Sequence, residues 1–172
     1  MLTNIFFDVC LMLLLVIATV SDYQYMKIPN WISIGICALF LVFGLVMLSW
    51  LQVLQHIGVG AGVLVLTAVA FSFHIFGGGD AKLLSAAAVW AGPDHVIELL
   101  ALTGLFGGAL GVFVLLARKL NHYLPALPDR TGPIGKIAGW GRDGICPYGI
   151  AIALAAVTTL PPALGLGSLF DR

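Results

Sequence analysis

The chain has 172 residues, 60% hydrophobic and only 9% charged, with a mean hydropathy of +1.07 and a formal net charge of zero. Soluble domains carry about 25% charged residues to cover their surface, so this composition excludes an ordinary soluble fold and points to lipid as the solvent. Zero net charge offers no basic face for nucleic acid, and Cys10, Cys37 and Cys146, widely separated and without a CxxC pair, suggest neither a disulfide framework nor a thiolate zinc site.

Apolar runs fall at about residues 3–20, 31–50, 57–76, 82–92, 96–117 and 146–165. A helix needs about 20 apolar residues to span a bilayer. The runs therefore predict an all-α, polytopic membrane bundle of about six segments, one domain covering residues 1–172. The fourth run is short. It starts after Gly77-Gly78-Gly79 and ends at Gly92-Pro93, which reads as a half-helix or a crossing buried by protein. Nothing basic precedes the first run, so it reads as a span rather than a signal peptide.

Lysine and arginine set the orientation, because cytoplasmic loops retain them. Lys27, Lys82, Arg118, Lys119, Arg130, Lys136 and Arg142 fall on one side of the predicted layout, and Arg172 alone disagrees. Connections at residues 51–56 and 93–95 have no basic residue. Both termini are then outside the cytoplasm. The stretch 118–144, broken by Pro125, Pro128, Pro133 and several glycines, is predicted as an irregular cytoplasmic loop. It serves either as a cover or docking segment for a site or as a polar connector.

Acids near a membrane are costly, so each needs a reason. Asp94 and Glu98, beside His95, sit at an outer helix end, where solvation is a simpler reading than a metal site. Asp129 and Asp143 fall in the loop, and Asp171 at the C-terminal end. Asp8 lies 14 residues before Asp22, about 21 Å along a helix, too far to share its chemistry. Asp22 and Asp80 are left. Asp22 ends the first span before Ile28-Pro29-Asn30, and Asp80 follows Gly77-Gly78-Gly79 and precedes Lys82. The layout carries both to the same depth on the cytoplasmic side.

Two carboxyls within a few ångströms do not both ionise cheaply, so one keeps its proton. The ionised member accepts a proton from water attacking an amide carbon, and the other donates to the carbonyl oxygen. No metal or cofactor is needed. The three glycines let backbone approach a peptide closely, and a helix N-terminus at Asp80 favours an anion. Lys82 either biases the local charge or snorkels to the interface.

These residues resemble the type IV prepilin peptidases, membrane aspartic proteases of the GxGD kind. The likeness consists of Asp22 with Ile28-Pro29-Asn30, then Gly77-Gly78-Gly79-Asp80-Ala81-Lys82-Leu83-Leu84, and Pro147-Tyr148-Gly149 opening the last span. It implies an endopeptidase with Asp22 and Asp80 as the catalytic pair, cutting the leader from a prepilin or pseudopilin precursor at the cytoplasmic face of a bacterial inner membrane. Other pilus assembly components are implied as partners. The longer members of the family also carry an N-terminal portion with paired cysteines and an N-methyltransferase activity. The present sequence looks similar to small, peptidase-only members serving Flp pili of the tight-adherence type. Archaeal preflagellin peptidases share the same aspartates.

In the fifth run, Gly104, Gly107, Gly108 and Gly111 give two overlapping GxxxG spacings, expected to pack against one of the protein's own helices. Two other classes fit the same acids: a transporter or channel subunit binding a cation or proton, and a non-catalytic assembly factor of a secretion complex. Loss of precursor cleavage on substituting Asp22 or Asp80 separates the peptidase from both.

Overall fold

The computed structural model describes residues 2–73, 76–123 and 147–163. They form five helices: α1 Leu2–Tyr25, α2 Asn30–Met47, α3 Trp50–Ser72, α4 Gly78–Tyr123 and α5 Tyr148–Ala163. Four of them contain stretches long and apolar enough to cross a membrane, and α5 contributes a shorter apolar helix. The protein is an all-α, multi-pass membrane protein.

The helix count differs from the expected six segments because the fourth and fifth run on as α4. Its apolar stretch, Gly78–Leu116, has 39 residues, about 58 Å if straight, near twice the thickness of a hydrocarbon core. It is not straight. Gly92 takes φ 63° and ψ −170°, a conformation open to glycine, and Pro93 begins the next helical stretch, a first position that proline favours. A first arm (78–91) and a second arm (93–123) thus meet without a loop. The second arm returns toward the Asp80 end: Gly107 abuts the Tyr148 ring, which packs on Phe76 at 5.7 Å between centroids.

Two other boundaries move. Residues 51–56, expected as an outer connection, form the first turns of α3. Ser49 and Gln52 make a capping box, with the Ser49 N–H donating to Gln52 Oε1 at 2.9 Å and the Gln52 N–H reaching Ser49 Oγ at 3.4 Å. Residues 118–123, expected to open the long loop, continue α4. The rest of that loop, with Asp129, Arg130, Lys136, Arg142, Asp143 and Cys146, lies outside the described residues, as do Asp171 and Arg172.

The first arm is the centre of the bundle. Leu83, Leu84, Ala86, Ala87 and Ala88 are at most 4% exposed, and α2, α3 and α5 all pack on α4, while α1 packs on α2 and α5. Between helices lipid supplies no hydrophobic drive, so close approach by small residues has to hold them. The alanines provide it here, as does Gly60 of α3, where a Cβ would run into Val89. Gly107 likewise fits against Tyr148 and Ala151, but among the described residues nothing beyond their own helix backbone lies within 4 Å of a Cβ added at Gly104, Gly108 or Gly111. The GxxxG pattern therefore packs within the chain at one glycine and leaves the other three open, because the second arm turns only one of its faces to α5.

Candidate active site

Asp22 stands in the last turn of α1. The helix stops because Met26 adopts a left-handed φ of 51°, while its N–H still donates to the Asp22 carbonyl at 2.9 Å. For a residue with a Cβ this conformation costs about 1–2 kcal/mol. The turn is held by Ser21, whose hydroxyl donates to the Lys27 carbonyl at 2.8 Å, and by Pro29, whose φ of −62° and extended ψ of 139° lead into α2. Ile28 is buried beneath it.

Asp80 is in the first turn of α4, where exposed N–H groups and the helix dipole favour negative charge. The glycines before it serve close packing. A Cβ on Gly79 would sit 3.2 Å from Ile28 Cβ and 3.4 Å from both the Ile28 nitrogen and its carbonyl oxygen, so the Gly77–Asp80 segment lies directly on the turn after Asp22. A Cβ on Gly78 would meet the Phe71 ring at 3.4 Å. Lys82 Nζ donates to Asn30 Oδ1 at 2.9 Å, tying the two segments on their exposed side. The Lys82 ammonium thus turns to an amide oxygen and not to either carboxylate.

A third element closes the site from beneath. The first turn of α5 points at Asp22, and the Gly149 N–H donates to Asp22 Oδ2 at 2.8 Å. A helix N-terminus presents unpaired donors to an anion, and here the anion is a side chain from another helix. A Cβ at Gly149 would lie 2.8 Å from both Asp22 Oδ2 and Ile28 Cδ1, so no other residue fits without displacement.

Asp22 and Asp80 line one open cleft of about 530 Å³, floored by residues 26–30 and 77–79. Asp22 is 5% exposed and Asp80 partly exposed, and the charge on Asp22 acts on Asp80. Ile28, Pro29, Asn30, Gly77, Gly78 and Gly79 share that cleft, and Lys82 reaches it through Asn30. Met26 and Ser21 join the site without having been singled out from their residue types, and Gly149, quoted above only in the motif that opens the last span, joins it as a donor to Asp22. Asp8 is remote and buried, and His95 lies 3.7 Å from Glu98. Among the described residues no three His, Cys, Asp or Glu side chains converge as a metal site would require.

Helices and cleft together define a polytopic membrane protein with an acidic pair at one end of its bundle, in a cleft bordered by glycine backbone. The sequence model of the Type IV leader peptidase family matches residues 9–112, which include both aspartates, and the chain belongs to that family, one of prepilin peptidases of the aspartic type. Among its curated relatives, the "Prepilin leader peptidase/N-methyltransferase" of Aeromonas hydrophila is 37% identical over 90 residues, covering 49% of this chain and 30% of the relative. The protein of the same name from Aeromonas salmonicida (strain A449) matches with the same identity and coverage. The aligned stretch spans less than a third of these relatives' length. No solved structure matches the chain.

Proposed function

We propose that this protein is an aspartic endopeptidase that removes the leader from type IV prepilin or pseudopilin precursors, Flp-type prepilins among them, at the cytoplasmic face of the bacterial inner membrane. The observation that carries the reading is the pair Asp22 and Asp80 on a single cleft. In the proposed topology the chain is one domain crossing six times, with the first arm of α4 as a short fourth crossing and the second arm as the fifth.

The reaction follows from the pair. Donation by Gly149 supports an ionised Asp22, and Asp80 carries the shared proton. Asp22 accepts a proton from water as its oxygen bonds to the scissile carbonyl carbon, while Asp80 gives its proton to the carbonyl oxygen. The tetrahedral diol then collapses. The C–N bond breaks, the amine leaves with the proton held by Asp22, and a diol hydroxyl returns its proton to Asp80. Gly77, Gly78 and Gly79 line the cleft, and exposed Gly77 is where an extended substrate can approach the backbone.

The test is cleavage of a purified prepilin by the purified protein in nanodiscs, followed by N-terminal sequencing of the product. A single cut ahead of the precursor's apolar helix, unaffected by a chelator, is the expected result. An intact precursor, or cleavage abolished by the chelator, contradicts the reading.

A further inference from the structure

The first arm of α4 (78–91) carries Asp80 in its first turn, and Val89, in its last turn, stands nine residues further on and three before the break at Gly92. The last carbonyls of any helix lack intrahelical donors. The deficit here is specific, since the residue four ahead of Val89 is Pro93, which has no N–H to give. His56 of α3 lies across from it, with Nδ1 2.8 Å from the Val89 carbonyl oxygen. A carbonyl only accepts, so Nδ1 is the protonated nitrogen of this pair.

The imidazole is itself tightly held. It stacks on Phe40 of α2 at 5.2 Å between centroids and 21° between planes. Its other side lies against Gly92, where any Cβ would run into the ring. Phe40 also meets Trp90 edge-on at 5.7 Å, and the Trp90 indole N–H donates to the Ile36 carbonyl at 3.0 Å. The end of the arm opposite Asp80 is thus pinned to both α2 and α3, and the chain reverses against the histidine.

The geometry points to His56 as a positioning residue for Asp80: by supplying the hydrogen bond that Pro93 withholds from Val89, it fixes the depth and tilt of the short arm that carries the carboxylate. Val89 lies about 14 Å from Asp80 along the helix. A rigid arm transmits a shift of its far end to the near one, and displacing a reacting group by about 1 Å can cost about 100-fold in rate. The catalytic consequence rests on the peptidase reading above. The positioning itself does not.

Two readouts separate them. The variants are His56→Leu, which fills the space without a donor, and His56→Gln, which keeps an N–H able to reach the carbonyl. In the first experiment Asp22→Cys and Asp80→Cys are combined in a chain with Cys10, Cys37 and Cys146 replaced by Ala, and a short bis-methanethiosulfonate links them in membranes. Crosslinking falls several-fold in H56L and is retained in H56Q. In the second, with the native aspartates, kcat for prepilin cleavage falls at least about tenfold in H56L with KM little changed, and H56Q restores it. Crosslinking of H56L at the level of the parent chain, or of H56Q as weak as that of H56L, overturns the positioning role. If the unmutated protein cleaves no prepilin, the peptidase reading fails, and the crosslinking comparison still decides the role of His56.

Discussion

The backbone N–H of Gly149 donates to Asp22 Oδ2 at 2.8 Å across 127 residues of sequence. Through this bond the N-terminus of α5 orients the carboxylate that ends α1, while Gly79 presses the Asp80 segment onto Ile28 just beyond it. The acidic pair is therefore assembled from three helix ends, and disturbing any of them should disturb both carboxylates.

Gly149→Ala places a methyl 2.8 Å from Asp22 Oδ2. We expect prepilin cleavage to fall by about 100-fold, as for other sub-ångström to ångström displacements of reacting groups, with the protein still accumulating in membranes. Gly104→Ala, at an open position, serves as the control and leaves cleavage unchanged. Initial rates on a prepilin substrate measure both.

The bond from Lys82 Nζ to Asn30 Oδ1 is exposed, so solvent limits its worth to about 1 kcal/mol or less. Lys82→Met and Asn30→Ala should each lower cleavage only a few-fold. The double variant should be no worse than the poorer single one, since both remove the same contact. A double-mutant cycle on kcat/KM reads this directly, and additive losses contradict the pairing.

Much of this site can be read from residue types. The Ile28-Pro29-Asn30 turn and the glycine run before Asp80 mark two helix boundaries, and alternating sides of the basic residues bring both acids to one end. Gly149 stands in the Pro147-Tyr148-Gly149 motif, but its bond to Asp22 has no such mark, because a backbone N–H looks alike at every residue and its partner lies far away in sequence. The reversal in α4 is hidden for a related reason. A single left-handed glycine followed by proline replaces a loop, so two segments merge with no polar connection between them. The start of α3 carries a local signal, Ser49 with Gln52 three residues on, in a stretch made polar by Gln52, Gln55 and His56.

Gly92 combines a φ of 63° with a histidine ring against its Cα. Gly92→Ala pays about 1–3 kcal/mol for a backbone conformation essentially restricted to glycine, and about 1–3 kcal/mol more for overpacking. Its melting temperature in detergent should fall clearly below that of the parent. Gly62→Ala, in α3 with open space around it, should melt at or above the parent temperature, since alanine is the better helix former.

A mechanism that needs one ionised and one protonated carboxyl gives a bell-shaped pH profile. At low pH both carboxyls are protonated and no base remains; at high pH both are ionised and no acid remains. Cleavage should therefore decline on both limbs of the kcat profile. Asp22→Asn and Asp80→Asn should lower the whole curve and not merely remove one limb, because each carboxyl serves as acid and base in turn.

Joint action of Asp22 and Asp80 on the precursor is the core of the proposed mechanism. It is tested most directly by co-expressing the chain with a prepilin and following the precursor's size on a gel for the parent, D22A and D80A, with membrane levels of each measured alongside. A mature-size band is expected with the parent and only full-length precursor with either variant at equal abundance. Mature product from D22A or D80A at the parent's rate would contradict it.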